Sequence, residues 1–408
     1  MTQHDRSSTP QASTDEEPRE QATRFPVTGA IPRIERQQSH YEFLWAVRPP
    51  AAMTNLVHAR RMLMHDESAQ DFFPPETTVL VTSTIPDEDL REFSFEEELR
   101  LVRQFDPDHY LPFDFPVYGD MDADTRAEHV RQVAAGTLDM DHVLSRLSAA
   151  EASRVANDLS LPRELVIGES DTGVLPLIKG TSRGERAVME RTARDVDAPL
   201  MAKYATQYMT VPGSGNYPAL RDDLEAIYEE TAGYPMLVVG LLSPSGRYSL
   251  EGLPNNVVAA AGGSQWRERV SPGSSTPEEM REAYHELATE VAEALKVPLR
   301  YDLDAAANSR DTPPGPLDTS PGNAATLGEG PAVAGCAGDT AYAWGGRKRP
   351  DDAISPIEAR NRRGGGESSD AAPKTENAGV TAEEVARTRR REATAEGGEP
   401  TGDGDGGV

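Results

Sequence analysis

The chain has 408 residues, with 68 Asp and Glu against 41 Lys and Arg and a formal charge of −27 at pH 7. A single cysteine, Cys336, excludes an internal disulfide and any cysteine-rich zinc or iron–sulfur centre. No run reaches the ~20 apolar residues of a membrane span, and the polar start from Met1 to Arg24 lacks the apolar core of a secretory signal, so a cytoplasmic protein is expected.

Residues 1–35 are rich in Ser, Thr, Gln, Pro and Glu without apolar periodicity, and they read as a disordered acidic tail. Residues 36–305 alternate short apolar runs with longer amphipathic ones. The predicted strands are Phe43–Val47, Thr78–Thr82, Tyr110–Phe115, Glu164–Ile167, Val174–Ile178, Leu200–Ala205, Met236–Leu241 and Val257–Ala261. The predicted helices are Ala52–Met64, Asp87–Gln104, Ala123–Ala134, Met140–Asn157, Gly184–Val196, Ala219–Thr231 and Pro277–Leu295. Residues 306–408 turn to Pro, Gly, Ala and Ser and read as a second disordered tail, in which residues 381–395 alone have helix-forming composition.

Apolar runs such as Met236-Leu-Val-Val-Gly-Leu-Leu242 suit strands of a parallel sheet, covered on both faces. Alternation with helices makes an α/β fold of βαβ units. Eight such strands favour a (β/α)8 barrel, with a doubly wound open sheet as the competitor.

In either architecture ligands bind beyond the C-terminal ends of the strands. That rule points to Arg48 after the first predicted strand, Asp114 on the third, and Lys179 with Thr181 and Ser182 after the fifth. It adds Lys203 and Gln207 around the sixth, Ser243 after the seventh, and Gln265 with Trp266 after the eighth.

Only five lysines occur, at 179, 203, 296, 348 and 374. Scarce lysine beside abundant carboxylate is what a halophilic protein needs, because molar salt screens the self-repulsion of such a charge. Two of the five fall on predicted strands, where a lone charge is costly and must be paired or functional. Lys179 and Lys203 are therefore candidates for anchoring an anion or for amine chemistry, or else they pair with Asp114 or Glu164 as structural ions. Asp114 suits a general base or nucleophile, or the counter-ion of such a lysine.

Gly180-Thr-Ser-Arg-Gly184 opens a helix and offers backbone amides to an anion. Gly262-Gly-Ser-Gln-Trp266 offers Gln265 to read and Trp266 to stack on a planar ring, or it is a glycine turn with a packing tryptophan. Asp120, Asp122 and Asp124 alternate like a cation loop but lack its glycine and glutamate, and an acidic helix start accounts for them better. The eight histidines form no metal-ligand cluster, and His109 is the one nearest the predicted site. No cofactor is implied by any motif.

Val174-Leu-Pro-Leu-Ile-Lys-Gly180 and Pro235-Met-Leu-Val-Val-Gly-Leu-Leu-Ser-Pro244 are similar in layout to strands of the tRNA-guanine transglycosylase superfamily of (β/α)8 barrels. The resemblance covers residues 170–270 and implies an enzyme acting on a base. The strand expected to carry the nucleophilic aspartate reads Val257-Val-Ala-Ala-Ala-Gly262, and the zinc cysteines are absent. The resemblance then implies either a divergent member using another carboxylate, such as Asp114, or one that binds without catalysing.

Two functions follow. One is a barrel enzyme acting on a nucleobase or a phosphorylated small molecule. The other is a non-enzymatic plasmid, virus or modification-system protein whose barrel is a binding platform. Its tail arginines (347, 349, 360, 362, 363, 387 and 389–391) would contact a protein partner or nucleic acid, or else they belong to a solvated linker whose charges neutralise one another.

Overall fold

The computed structural model describes residues 28–317 apart from 86–92, 118–120, 169, 211–215, 247 and 309–314. The chain divides into Met1–Arg362 and Arg363–Val408, and every described residue lies in the first unit.

Eight strands are described: β1 Gly29–Pro32, β2 Ala51–Asn55, β3 Thr78–Thr82, β4 His109–Leu111, β5 Gly173–Val174, β6 Met201–Tyr204, β7 Met236–Val239 and β8 Val257–Gly262. They form two parallel four-stranded sheets, ordered β1-β8-β7-β6 and β2-β3-β4-β5. Two single parallel bridges, Arg33 to Met53 and Leu177 to Ala202, set β1 beside β2 and the end of β5 beside β6. The amide of Ile34 donates to Met53 O at 2.7 Å, and that of Ile178 to Ala202 O at 2.8 Å.

Each strand buries both faces, the arrangement that parallel strands with helical crossovers require. One face feeds an apolar cluster holding Ile31, Met53, Leu80, Leu111, Leu177, Ala202, Val239 and Ala261, one residue from each strand or from just beyond it. The alternate residues, among them Ala30, Val79, Val81, Tyr110 and Val238, pack in a second and larger cluster with the helices. The period of two along each strand thus separates an inner side from a helix-covered outer side.

Several helices start where Ser or Thr is followed three residues later by Glu. Ser94 with Glu97, Ser148 with Glu151, Ser182 with Glu185 and Thr276 with Glu279 are reciprocal capping boxes. Among the described residues no helix is long and apolar enough to cross a membrane.

The α/β class expected from the sequence stands, but several segments differ. Phe43–Val47 is not a strand; it ends the helix Gln38–Val47, whose buried residues His40, Tyr41, Phe43, Leu44 and Val47 follow helical spacing. Glu164–Ile167 is likewise not a strand but a single helical turn, Arg163–Val166. The two missing strands lie elsewhere. β1 falls inside the segment read as a disordered tail, and β2 occupies the start of the predicted helix Ala52–Met64, which begins only at Leu56 under an Asn55 cap. The predicted helix at 381–395 and the arginine clusters of the tail lie outside the described residues.

Candidate functional site

The inner face of the strands changes character at their C-terminal ends. Leu175 and Leu177 belong to the inner cluster, so the period of two brings Lys179 to the same side, one step further out. There its ammonium pairs with the Asp114 carboxylate, and both residues are buried, at 5% and 6% exposed. Asp114 follows β4, and its amide donates to Ser83 Oγ at 2.8 Å, which ties it to the end of β3. Of the partners the sequence offered Lys179, Asp114 is the one it meets.

Lys203 faces the other way. Its neighbour Ala202 is an inner residue, so Lys203 belongs to the outer side, where it meets Asp223 of the helix Tyr217–Glu230 at 2.5 Å. Tyr208 donates its hydroxyl to the same Asp223 oxygen at 2.6 Å, and Arg186 reaches the other oxygen at 3.2 Å. Arg186 also holds Glu230 through two bonds of 2.7 Å. Burial works against the Lys203 charge, but Asp223 and Tyr208 more than offset it and raise its pKa above the ordinary lysine value. Burial would likewise raise Asp223, yet Lys203 and the surrounding hydrogen bonds hold it below the usual carboxylate range. This pairing with Asp223, a partner that the sequence reading did not name, favours the ammonium form over the free amine that nucleophilic chemistry needs.

The amides at Thr181 and Ser182 are already occupied. Glu185 of the same helix accepts from Thr181 N at 2.8 Å and from Ser182 N at 2.9 Å, and Arg126 closes on it at 3.0 Å. Gly180, with φ +100°, is needed there, since a Cβ would stand 2.4 Å from Glu185 Cβ. The anion expected at this helix start is therefore the protein's own carboxylate.

Arg48 is displaced altogether. It caps the helix Gln38–Val47, pairs with Glu76 at 2.5 Å and precedes β2, so it lies at the N-terminal end of the strands. His109 opens β4 and is at that end too. Trp266 is fully buried: its rings pack on Phe43 and His40, with centroids 4.3 and 4.8 Å away, and its indole N–H donates to Arg33 O at 3.1 Å. No face of it is open to a ligand. Asp122 caps the helix Ala123–Leu144, as an acidic helix start should, while Asp120 lies outside the described residues.

Gln207, Ser243 and Gln265 remain partly exposed beyond β6, β7 and β8. Ser243 donates its hydroxyl to Ser245 O at 2.7 Å, and the Gln265 carboxamide lies beside Gly262. Among the described residues no group of three or more His, Cys, Asp or Glu side chains is placed to hold a metal ion.

One residue of this end was missed because it fell in the presumed tail. Ile31 is an inner residue, so Arg33 continues the inner face of β1 past its C-terminal end, as Tyr204 does on β6. The readable signal was Gly29-Ala-Ile-Pro-Arg-Ile34, a short apolar run closing on a charge.

A small cleft lies at the opposite end, between Thr28, Gly29, Pro50 and residues 298–301. It contains none of the candidate residues. No protein-family model matches the chain, and no curated protein matches it.

Proposed function

We propose that the two sheets and their linking bridges are one closed (β/α)8 barrel, and that its C-terminal mouth is the active site of a halophilic, cytosolic enzyme. The substrate class is a nucleobase or a phosphorylated small molecule. Support for the barrel comes from the bridges that complete the strand order and from an inner cluster fed by all eight strands. The observation that carries the active site is the Lys179–Asp114 pair, buried at the end of the strands where such folds do their chemistry. Asp114 supplies the carboxylate for nucleophilic or general-base work, and Lys179 holds it in place. Gln207, Ser243 and Gln265 are the recognition groups on the surrounding loops. Kinship with the transglycosylase superfamily fits this reading if Asp114 replaces the aspartate that β8 lacks.

The test is calorimetric titration of the full chain in molar KCl with guanine, guanosine monophosphate and ribose 5-phosphate, beside Asp114→Asn. At least one probe should bind, and the variant should bind it about tenfold or more weakly. Silence from all three, or indifference to the substitution, would remove the reading. Halophily has its own check. Transfer to dilute buffer should lower the helical circular dichroism signal, because unscreened repulsion at −27 then acts on the fold; a signal independent of salt contradicts it.

A further inference from the structure

In this acid-rich protein the buried and half-buried arginines at 36, 48, 126 and 186 are each matched to a carboxylate. Arg33 is not. Its guanidinium makes one long hydrogen bond, from Nη2 to Thr84 O at 3.4 Å, and no described carboxylate lies within ion-pair distance. Five N–H donors on a rigid fork leave the rest of its capacity open. Its backbone is fixed on three sides: by the bridge to Met53, by the amide of Arg33 donating to Gly262 O at 2.8 Å, and by Trp266 on its carbonyl. A half-buried cation held on a rigid strand end, without an internal counter-ion, is suited to a ligand's charge.

Its surroundings agree. Gly263 adjoins both arginines: a Cβ built on it would stand in ordinary contact with Arg33 Cβ, at 4.0 Å, and with Arg267 Nη2, at 3.6 Å. Glu35 pairs loosely with Arg267, at 3.5 Å, and leaves the cluster with one cation more than anions. Tyr204 and Glu35 favour the charge on Arg33, whereas burial, the largest influence, and Arg267 oppose it and lower its pKa. A second negative group would relieve that strain.

We propose that Arg33, assisted by Arg267, is the oxyanion anchor of the mouth and takes the phosphate monoester or carboxylate of a small-molecule substrate. This rests on the proposal that the C-terminal mouth is the ligand site, and it narrows the ligand to an anionic one. Bidentate capture by the guanidinium would seat the anionic end at β1 and β8 and send the rest of the molecule over the inner face towards Lys179 and Asp114.

The experiment titrates the full chain in molar KCl with inorganic phosphate and, separately, with acetate, followed by calorimetry. The wild type should bind at least one of them, and the one bound distinguishes phosphate from carboxylate. Arg33→Met should weaken binding about tenfold or more, whereas Arg131→Gln, on an exposed arginine of the helix Ala123–Leu144 that pairs with Glu128, should leave it unchanged. If Arg33→Met does not fold, Arg267→Gln, on an exposed side chain, replaces it and should weaken binding severalfold. No binding of either anion, or binding unaffected by both arginine variants, overturns the anchor. The two proposals fail separately: anion binding that needs Arg33, in a protein indifferent to Asp114→Asn with every larger probe, keeps the anchor and removes the enzyme. Loss of larger-probe binding in Asp114→Asn with arginine variants unaffected does the reverse.

Discussion

Lys203→Ala is expected to cost about 3–5 kcal/mol of stability, because it leaves a carboxylate buried without its closest cation. Asp223 would keep only Tyr208 and an Arg186 contact at 3.2 Å, and Arg186 is already committed to Glu230. Asp223→Ala should be at least as damaging, since two cations then face each other across the gap. Restoring shape without charge is different. The double variant Lys203→Met with Asp223→Leu removes both desolvation costs together and should recover much of the loss. Denaturant unfolding at constant molar salt measures all three; the midpoint should fall while the slope stays constant. A Lys203→Ala midpoint equal to wild type would show that this network does not clamp β6 to its helix.

A second large effect is expected on acidification, well before the carboxylates titrate. His40 and His58 lie under the turn that follows β1. The His40 Nδ1 accepts from the Glu35 amide at 2.9 Å, and the His58 Nδ1 accepts from the Arg36 amide at 3.4 Å. Burial, with Arg267 next, depresses His40 to about 3; burial also dominates at His58, where Glu35 opposes it and Arg61 and Arg33 add to it, giving about 4. Both rings are thus neutral in the folded protein and titrate near 6.5 in the unfolded chain. Between those values the unfolded state binds more protons, so stability is full above about pH 6.5 and falls as the pH drops towards 4. The slope reaches at most about 2.7 kcal/mol per pH unit when both rings contribute.

Unfolding curves at pH 7, 6 and 5 in molar salt test this, the salt suppressing the opposite effect of reduced acidic repulsion. His40→Gln, which keeps an acceptor, should flatten the slope by about half. Equal midpoints at pH 7 and 5 would mean that these amides do not depend on neutral histidines.

The legible parts of the fold were those where local preference and tertiary role coincide. Thr78–Thr82 and Pro277–Leu295 were read with their true limits, the first from β-branched residues and the second from Thr276, Pro277 and Glu279 at its start. Phe43–Val47 was misread because a continuous apolar run has no period of its own; length and caps decide, and no side-chain cap marks the start of that helix. β1 and β2 were missed for a related reason. Ala, Gly and Pro carry little strand signal, and these strands exist through neighbours that are remote in sequence.

For the site, scarcity of lysine singled out Lys179 and Lys203, and both are buried and paired with a carboxylate. It could not tell the inner from the outer side. That distinction rests on register: one residue separates Lys203, outside against Asp223, from Tyr204, inside near Arg33.

The pairing of β1 with β8 has a consequence for how the protein is made. Gly29 lies in register with Ala259, about 230 residues later, so among the described strands the first to be synthesised pairs with the last. During translation its edge towards β8 stays open until residue 262 has left the ribosome, and closing so long a loop is slow. Burial of Arg33 and of the Trp266 anchor must wait for that moment. Nascent chains released too early would carry an unpaired strand edge, the kind of surface on which aggregation begins.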